Sequence, residues 1–143
     1  MNSVFIISAL FAVVQVATCG FALWKGEAAE RVGAGAMLIA WLATVNIHET
    51  TGSTGSLAVA AVDVILLAVL VALIIRTDRS WPVWSAAFHL LAMTSHIAYL
   101  LGVTQLPTGY MLALLAAAFG VVLSLAVGTF WVWQEREALR PLR

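Results

Sequence analysis

Charged side chains are scarce in this chain. They make up 10% of 143 residues, and seven Lys and Arg balance seven Asp and Glu to a formal net charge of zero. A soluble domain usually carries about 25% charged residues. So few charges cannot cover a water-facing surface, which excludes an ordinary soluble globular domain and a disordered chain. The lack of net basic charge also excludes a nucleic-acid binder that works through charge, so no nucleic-acid partner is expected. Cysteine is nearly absent as well. Cys19 stands alone, which excludes an intramolecular disulfide and a Cys-based zinc site.

Recognisable catalytic signatures are missing too. There is no Gly-rich phosphate loop, no Gly-x-Ser-x-Gly, no His-Glu-x-x-His and no paired acidic motif at helical spacing. Gly33-Ala34-Gly35 lies within a helical stretch and lacks the strand that a dinucleotide loop needs. The first apolar run has no positive n-region and no small-x-small cleavage motif before a polar start. Val16-Ala17-Thr18-Cys19 looks faintly like a lipoprotein site, but the apolar run continues past it to Trp24. A retained helix is the expectation.

What is present is apolar sequence: 63% hydrophobic residues and a mean hydropathy of +1.02. A spanning helix needs about 20 mainly apolar residues. Five such segments appear, at about 4–24, 32–47, 57–75, 81–101 and 108–133. Backbone polar groups in lipid must be satisfied internally, so the segments are expected to be helices. The expected fold is one all-α, polytopic membrane bundle of five transmembrane helices.

The basic residues set its orientation. Lys25 and Arg31 lie in the first connector, Arg76 and Arg79 in the third, and Arg136, Arg140 and Arg143 beyond the fifth helix. The N-terminal tail and the second and fourth connectors carry none. Five helices put all seven basic side chains on one side, and four would scatter them. The positive-inside rule then places the N-terminus outside and the C-terminus in the cytoplasm, in a multi-pass inner-membrane protein. Trp24, Trp81, Trp84, Trp131 and Trp133 map to the cytoplasmic ends of their helices, and Tyr99 and Tyr110 to the outer ends, as interface anchors would. Ser80 is placed to cap the fourth helix, with Pro82 in its first turn. The Glu135-Arg136-Glu137 run reads as a solvated helix end.

Two features stand out within the segments. Helix five carries Ala116, Gly120, Ser124 and Gly128 at strict four-residue spacing. Small residues mark close helix contacts in lipid. The ridge is expected to pack either against another helix of the chain or against a partner, whether another membrane subunit or a second copy. The second feature is the small set of polar groups at depth. Asp63 is the one formally charged residue expected well inside the bilayer. His89 and His96 lie seven residues apart on one face of helix four, with Tyr99 one turn beyond. Asn46, His48 and Glu49 close helix two, and Gln15 and Cys19 read as core residues. At ~1.5 Å rise per residue, His48, Asp63 and His96 fall at one level, roughly 20–24 Å from the cytoplasmic side, with His89 about 10 Å lower.

Several readings of this cluster stay open. Asp63 can pair with His96 or Asn46 in a satisfied structural network. His48 and His96 can ligate a b-type haem between helices two and four. His48, Asp63 and His96 can bind a divalent metal, although no local motif such as His-x-x-x-His is present and no metal ligand is assigned. Asp63 and the histidines can form a proton or ion path. A pigment or quinone can rest on His89 or a tryptophan. Short loops and few polar groups favour a non-catalytic membrane subunit, an accessory or assembly component of a larger complex. The alternatives are a haem- or metal-binding redox protein and a small transporter or ion-conducting oligomer with Asp63 as titrating group.

Overall fold

The computed structural model describes residues 3–51, 57–101 and 107–139. These form five helices: α1 Ser3–Lys25, α2 Ala28–Thr51, α3 Leu57–Arg76, α4 Trp81–Leu100 and α5 Pro107–Leu139. Among the described residues there is no strand. α1, α2, α3 and α5 are long and apolar enough to cross a membrane. α4 is 20 residues long, but Ser85, His89, Thr94, Ser95 and His96 lower its apolarity.

Two helices exceed their expected bounds. α2 starts at Ala28 and ends at Thr51, beyond the expected 32–47 at both ends. Its early start has a local cause. Gly26 makes a turn so close that a Cβ there would strike the Ala22 carbonyl and Glu30. The Glu30 carboxylate then reaches back to accept the backbone N–H of Glu27 at 3.0 Å, one half of a capping box. α5 continues past the expected residue 133 to Leu139, because Gln134–Ala138 are good helix formers. Pro107 opens it, where a missing N–H is harmless.

The helices close into a ring. Each packs on its neighbours in sequence, α5 returns to α1, and α2 also touches α5 across the middle. The α4–α5 contact is the most extensive. α4 and α5 run antiparallel, as shown by His96 against Tyr110 and Ser85 against Val121. α1 and α5 run the same way and meet edge-on through Phe11–Phe119 and Phe21–Trp133. Lys25, Arg31, Arg76, Arg79 and Arg136 gather at one end, called here the basic end.

Side-chain size is inverted relative to a soluble protein. The interior is built largely from small and medium residues such as Cys19, Ala22, Ala34, Met37, Leu70, Ala86 and Leu125. Large apolar side chains face outward, with Leu57 85% and Ile75 78% exposed. Apolar area left in water costs about 25 cal/mol per Å², so this outer surface suits lipid. Close approach is possible where glycines leave room. A Cβ on Gly120 would enter the Phe88 ring, and one on Gly33 or Gly128 would enter the Trp81 indole from opposite sides. Trp81 therefore sits wedged between α2 and α5.

Candidate functional site

The polar cluster is built on α3 and α4. His89 and His96 lie two turns apart on the face of α4 that packs against α3, and Asp63 lies between them. His89 Nε2 is 2.9 Å from the Asp63 backbone carbonyl and 3.9 Å from its Oδ1. A carbonyl only accepts, so His89 carries its proton on Nε2. His96 Nε2 is 3.5 Å from Asp63 Oδ2, and its Nδ1 is 2.9 Å from the Tyr110 hydroxyl of α5. A proton on Nε2 is the one that faces the carboxylate, so Tyr110 donates to Nδ1. Asp63, His96 and Tyr110 thus form a line across α3, α4 and α5.

Asp63 and His96 border a partly open pocket of about 270 Å³ lined by residues of all five helices. Phe11 and Gln15 come from α1, Met37, Trp41 and Thr44 from α2, Asp63 and Leu66 from α3, His89 and His96 from α4, and Ala117 and Val121 from α5. Gln15 donates through Nε2 to the Met37 carbonyl at 3.4 Å. Its Oε1 and the Asp63 Oδ2 are buried and have no hydrogen-bond partner among the described residues. An acidic group, two imidazoles and a phenol can together move a proton or hold a small polar ligand. Asp63 is the only Asp, Glu, Lys or Arg among the lining residues.

A second polar cluster holds the basic end. Glu30 is fully buried, and its Oε1 accepts from Trp81 Nε1 at 2.9 Å. Arg79 donates to Glu27 at 2.8 Å and to Glu135 at 3.3 Å, tying the α1–α2 connector to α5 through the α3–α4 connector. Partial burial pulls the Arg79 pKa down, and its hydrogen bonds to Glu135 and Glu27 more than offset that. The guanidinium stays cationic.

The structure brings His89 and His96 together on Asp63, and leaves the other named residues elsewhere. His48 is exposed at the far end of α2 and does not line the cavity. The His48–His96 haem pairing is therefore not formed, because His96 is turned onto Asp63 and Tyr110. The Asp63–Asn46 pairing is not formed either. Asn46 is exposed and donates to the Leu42 carbonyl of its own helix. The Tyr99 side chain lies outside the described residues. On the α5 ridge, Gly120 and Gly128 seat Phe88 and Trp81 of α4, and Ser124 bonds back to the Gly120 carbonyl at 2.7 Å. Ala116 is exposed. An open groove of about 600 Å³ runs beside the ridge, flanked by Trp84 and Trp131.

Two expectations need correction. Tyr110 is buried on His96 and is not an interface anchor. Trp81 is 3% exposed, in contrast to Trp24, Trp84 and Trp131, which do face outward. Sequence reasoning also missed Glu30, which is fully buried because α2 begins early. Equal steps back and forward from position 103 would have placed Tyr110 opposite His96. The reach of Glu30 into the core had no comparable signal.

No family model matches the chain, and neither a curated protein nor a solved structure matches it, so its function has to be argued from this site alone.

Proposed function

We propose that this chain is a multi-pass inner-membrane protein that crosses the bilayer five times, with its N-terminus outside, and that it works as a small transporter or ion-handling protein through a protonatable central site. The observation that carries the reading is Asp63: a carboxylate beside two imidazoles, with one buried oxygen lacking a hydrogen bond, on a cavity shared by all five helices. An ionisable group at such depth is expensive, and it marks a functional site by default. The gathering of basic residues at one end supports the orientation. α4 packs between α3 and α5, so Ser85, His89 and His96 face protein as it crosses.

Infrared spectra of the purified protein across pH test the reading. A protonated-carboxyl band should titrate and be absent from Asp63→Asn. Identical spectra for the two proteins would remove Asp63 from the proposal. Orientation is tested on a Cys19→Ala background, where Ser53→Cys and Thr77→Cys should label from opposite sides of sealed membranes.

A second reading, an accessory subunit of a larger complex, rests on the open groove between α4 and α5 with Trp84 and Trp131 exposed beside it. Co-purification of other chains in gentle detergent, lost on Trp84→Ala with Trp131→Ala, would favour it. The redox alternative has less support, since His48 is exposed on α2 and does not line the pocket that His96 lines.

A further inference from the structure

We propose that this pocket takes a small alkylammonium cation, its N–H groups directed to the Asp63 carboxylate and the Gln15 amide oxygen. The proposal rests on the reading of Asp63 as a functional site and names the class of ligand.

The argument is one of complementarity. The fully buried polar atoms left without hydrogen bonds on the lining residues are both acceptors, Asp63 Oδ2 and Gln15 Oε1. Gln15 is 4% exposed, so water outside the bundle does not satisfy it. Several lining donors are already used: Gln15 Nε2 on Met37, Thr44 on Ala40 and His89 on Asp63. A ligand that brings donors satisfies both oxygens, and a molecule offering only acceptors, such as a quinone carbonyl, leaves both unpaired.

Charge narrows the class further. Asp63 is the only Asp, Glu, Lys or Arg on the wall, which favours a cation. A bare metal ion such as Ca²⁺ gathers about 6–8 oxygen ligands, and this wall offers few. An ammonium needs only acceptors for its N–H groups. The remaining wall is apolar and aromatic, with Phe11, Met37, Trp41, Leu66 and Val121. Such a surface holds a short alkyl tail, and aromatic faces attract cations. The size agrees. A cavity of 270 Å³ exceeds one water, at about 30 Å³ of liquid volume, and lies just below the usual range of about 300–1,000 Å³ for small-molecule pockets.

A proton competes for the same carboxylate. The titratable groups facing Asp63 are His89 and His96 of α4, with Tyr110 of α5 behind His96. α1 and α2 contribute the neutral Gln15, Trp41 and Thr44 to the cavity wall. Protonating Asp63 removes the charge that attracts the ligand, and protonating His96 adds a repelling one. Binding should weaken as pH falls.

The test is calorimetric titration of the purified full chain in detergent with propylammonium, propanol and tetramethylammonium. Propylammonium should bind saturably and propanol should not. Tetramethylammonium, a cation without N–H groups, should bind at least about tenfold more weakly, as one charged hydrogen bond is worth that much or more. Gln15→Leu should weaken propylammonium about tenfold, and Asp63→Asn should abolish its binding while the protein stays folded. Equal binding of propanol, or unchanged binding to folded Asp63→Asn, overturns the proposal. If Asp63→Asn does not fold, the Gln15→Leu and tetramethylammonium comparisons decide. Absence of propylammonium binding while the Asp63 carboxyl still titrates overturns the ligand class alone and leaves the protonatable site standing.

Discussion

Among the described residues Glu30 is fully buried and Asp63 largely so, and the two carboxylates differ in how fully they are satisfied. Glu30 at the basic end accepts from Trp81 on one oxygen and from the Glu27 backbone on the other. Asp63 in the centre keeps one oxygen without a hydrogen bond, with the Gln15 oxygen nearby in the same state. A buried acceptor left unpaired costs about 1–3 kcal/mol, whereas a hydrogen bond to a charged group contributes about 1.5–3. The first carboxylate therefore holds helices together. The second lacks that satisfaction, which accords with the proposed site and not with a strut.

Four substitutions sharpen this contrast. The largest effect is expected for Trp81→Ala, about 3–5 kcal/mol of lost stability from the cavity it leaves, with Glu30 stranded as well. Denaturant unfolding in detergent micelles would measure it. A loss under about 1 kcal/mol would show that the indole wedge does not hold α2 to α5. Next is Gly120→Leu, which drives a side chain into the Phe88 ring and should lower stability by about 1–3 kcal/mol. An internal ridge makes that loss independent of protein concentration, and a ridge between copies makes it concentration-dependent. Asp63→Asn is expected to change stability by less than about 1 kcal/mol, because the amide keeps the shape and sheds the charge. A large destabilisation on the same unfolding curves would recast Asp63 as a second strut. The smallest effect is Arg79→Gln, about 0–1 kcal/mol, since its carboxylate partners are half exposed and such pairs are weak. Its unfolding midpoint should stay close to the parent's and become insensitive to salt.

Much of the helical architecture was legible from apolar run length, because lipid leaves the backbone few other choices. α3 spans Leu57–Arg76 against an expected 57–75, and α1 and α4 agree to one residue at each end. The ends of α2 and α5 were not legible, since both extend through polar residues where hydropathy is silent and capping decides. The seven-residue spacing of His89 and His96 put them on one face, and depth arithmetic put Asp63 near His96. The same arithmetic failed for His48. Equal depth does not bring two helices face to face, and α2 presents Met37, Trp41 and Thr44 to the cavity while His48 stays exposed. Trp81 and Tyr110 were misread for a related reason. An aromatic near a helix end suits an interface belt, and only the position of its neighbours shows that it points inward instead.

The wedging of Trp81 between Gly33 and Gly128 has a consequence for how this sequence can drift. None of the three positions is free to change alone, because a side chain at either glycine collides with the indole and loss of the indole leaves both glycines facing a void. In diverging copies of this chain the three should vary as a set, with a smaller residue at 81 accompanied by larger ones at 33 and 128. Glu30 should follow, turning apolar wherever the indole N–H that it accepts has gone.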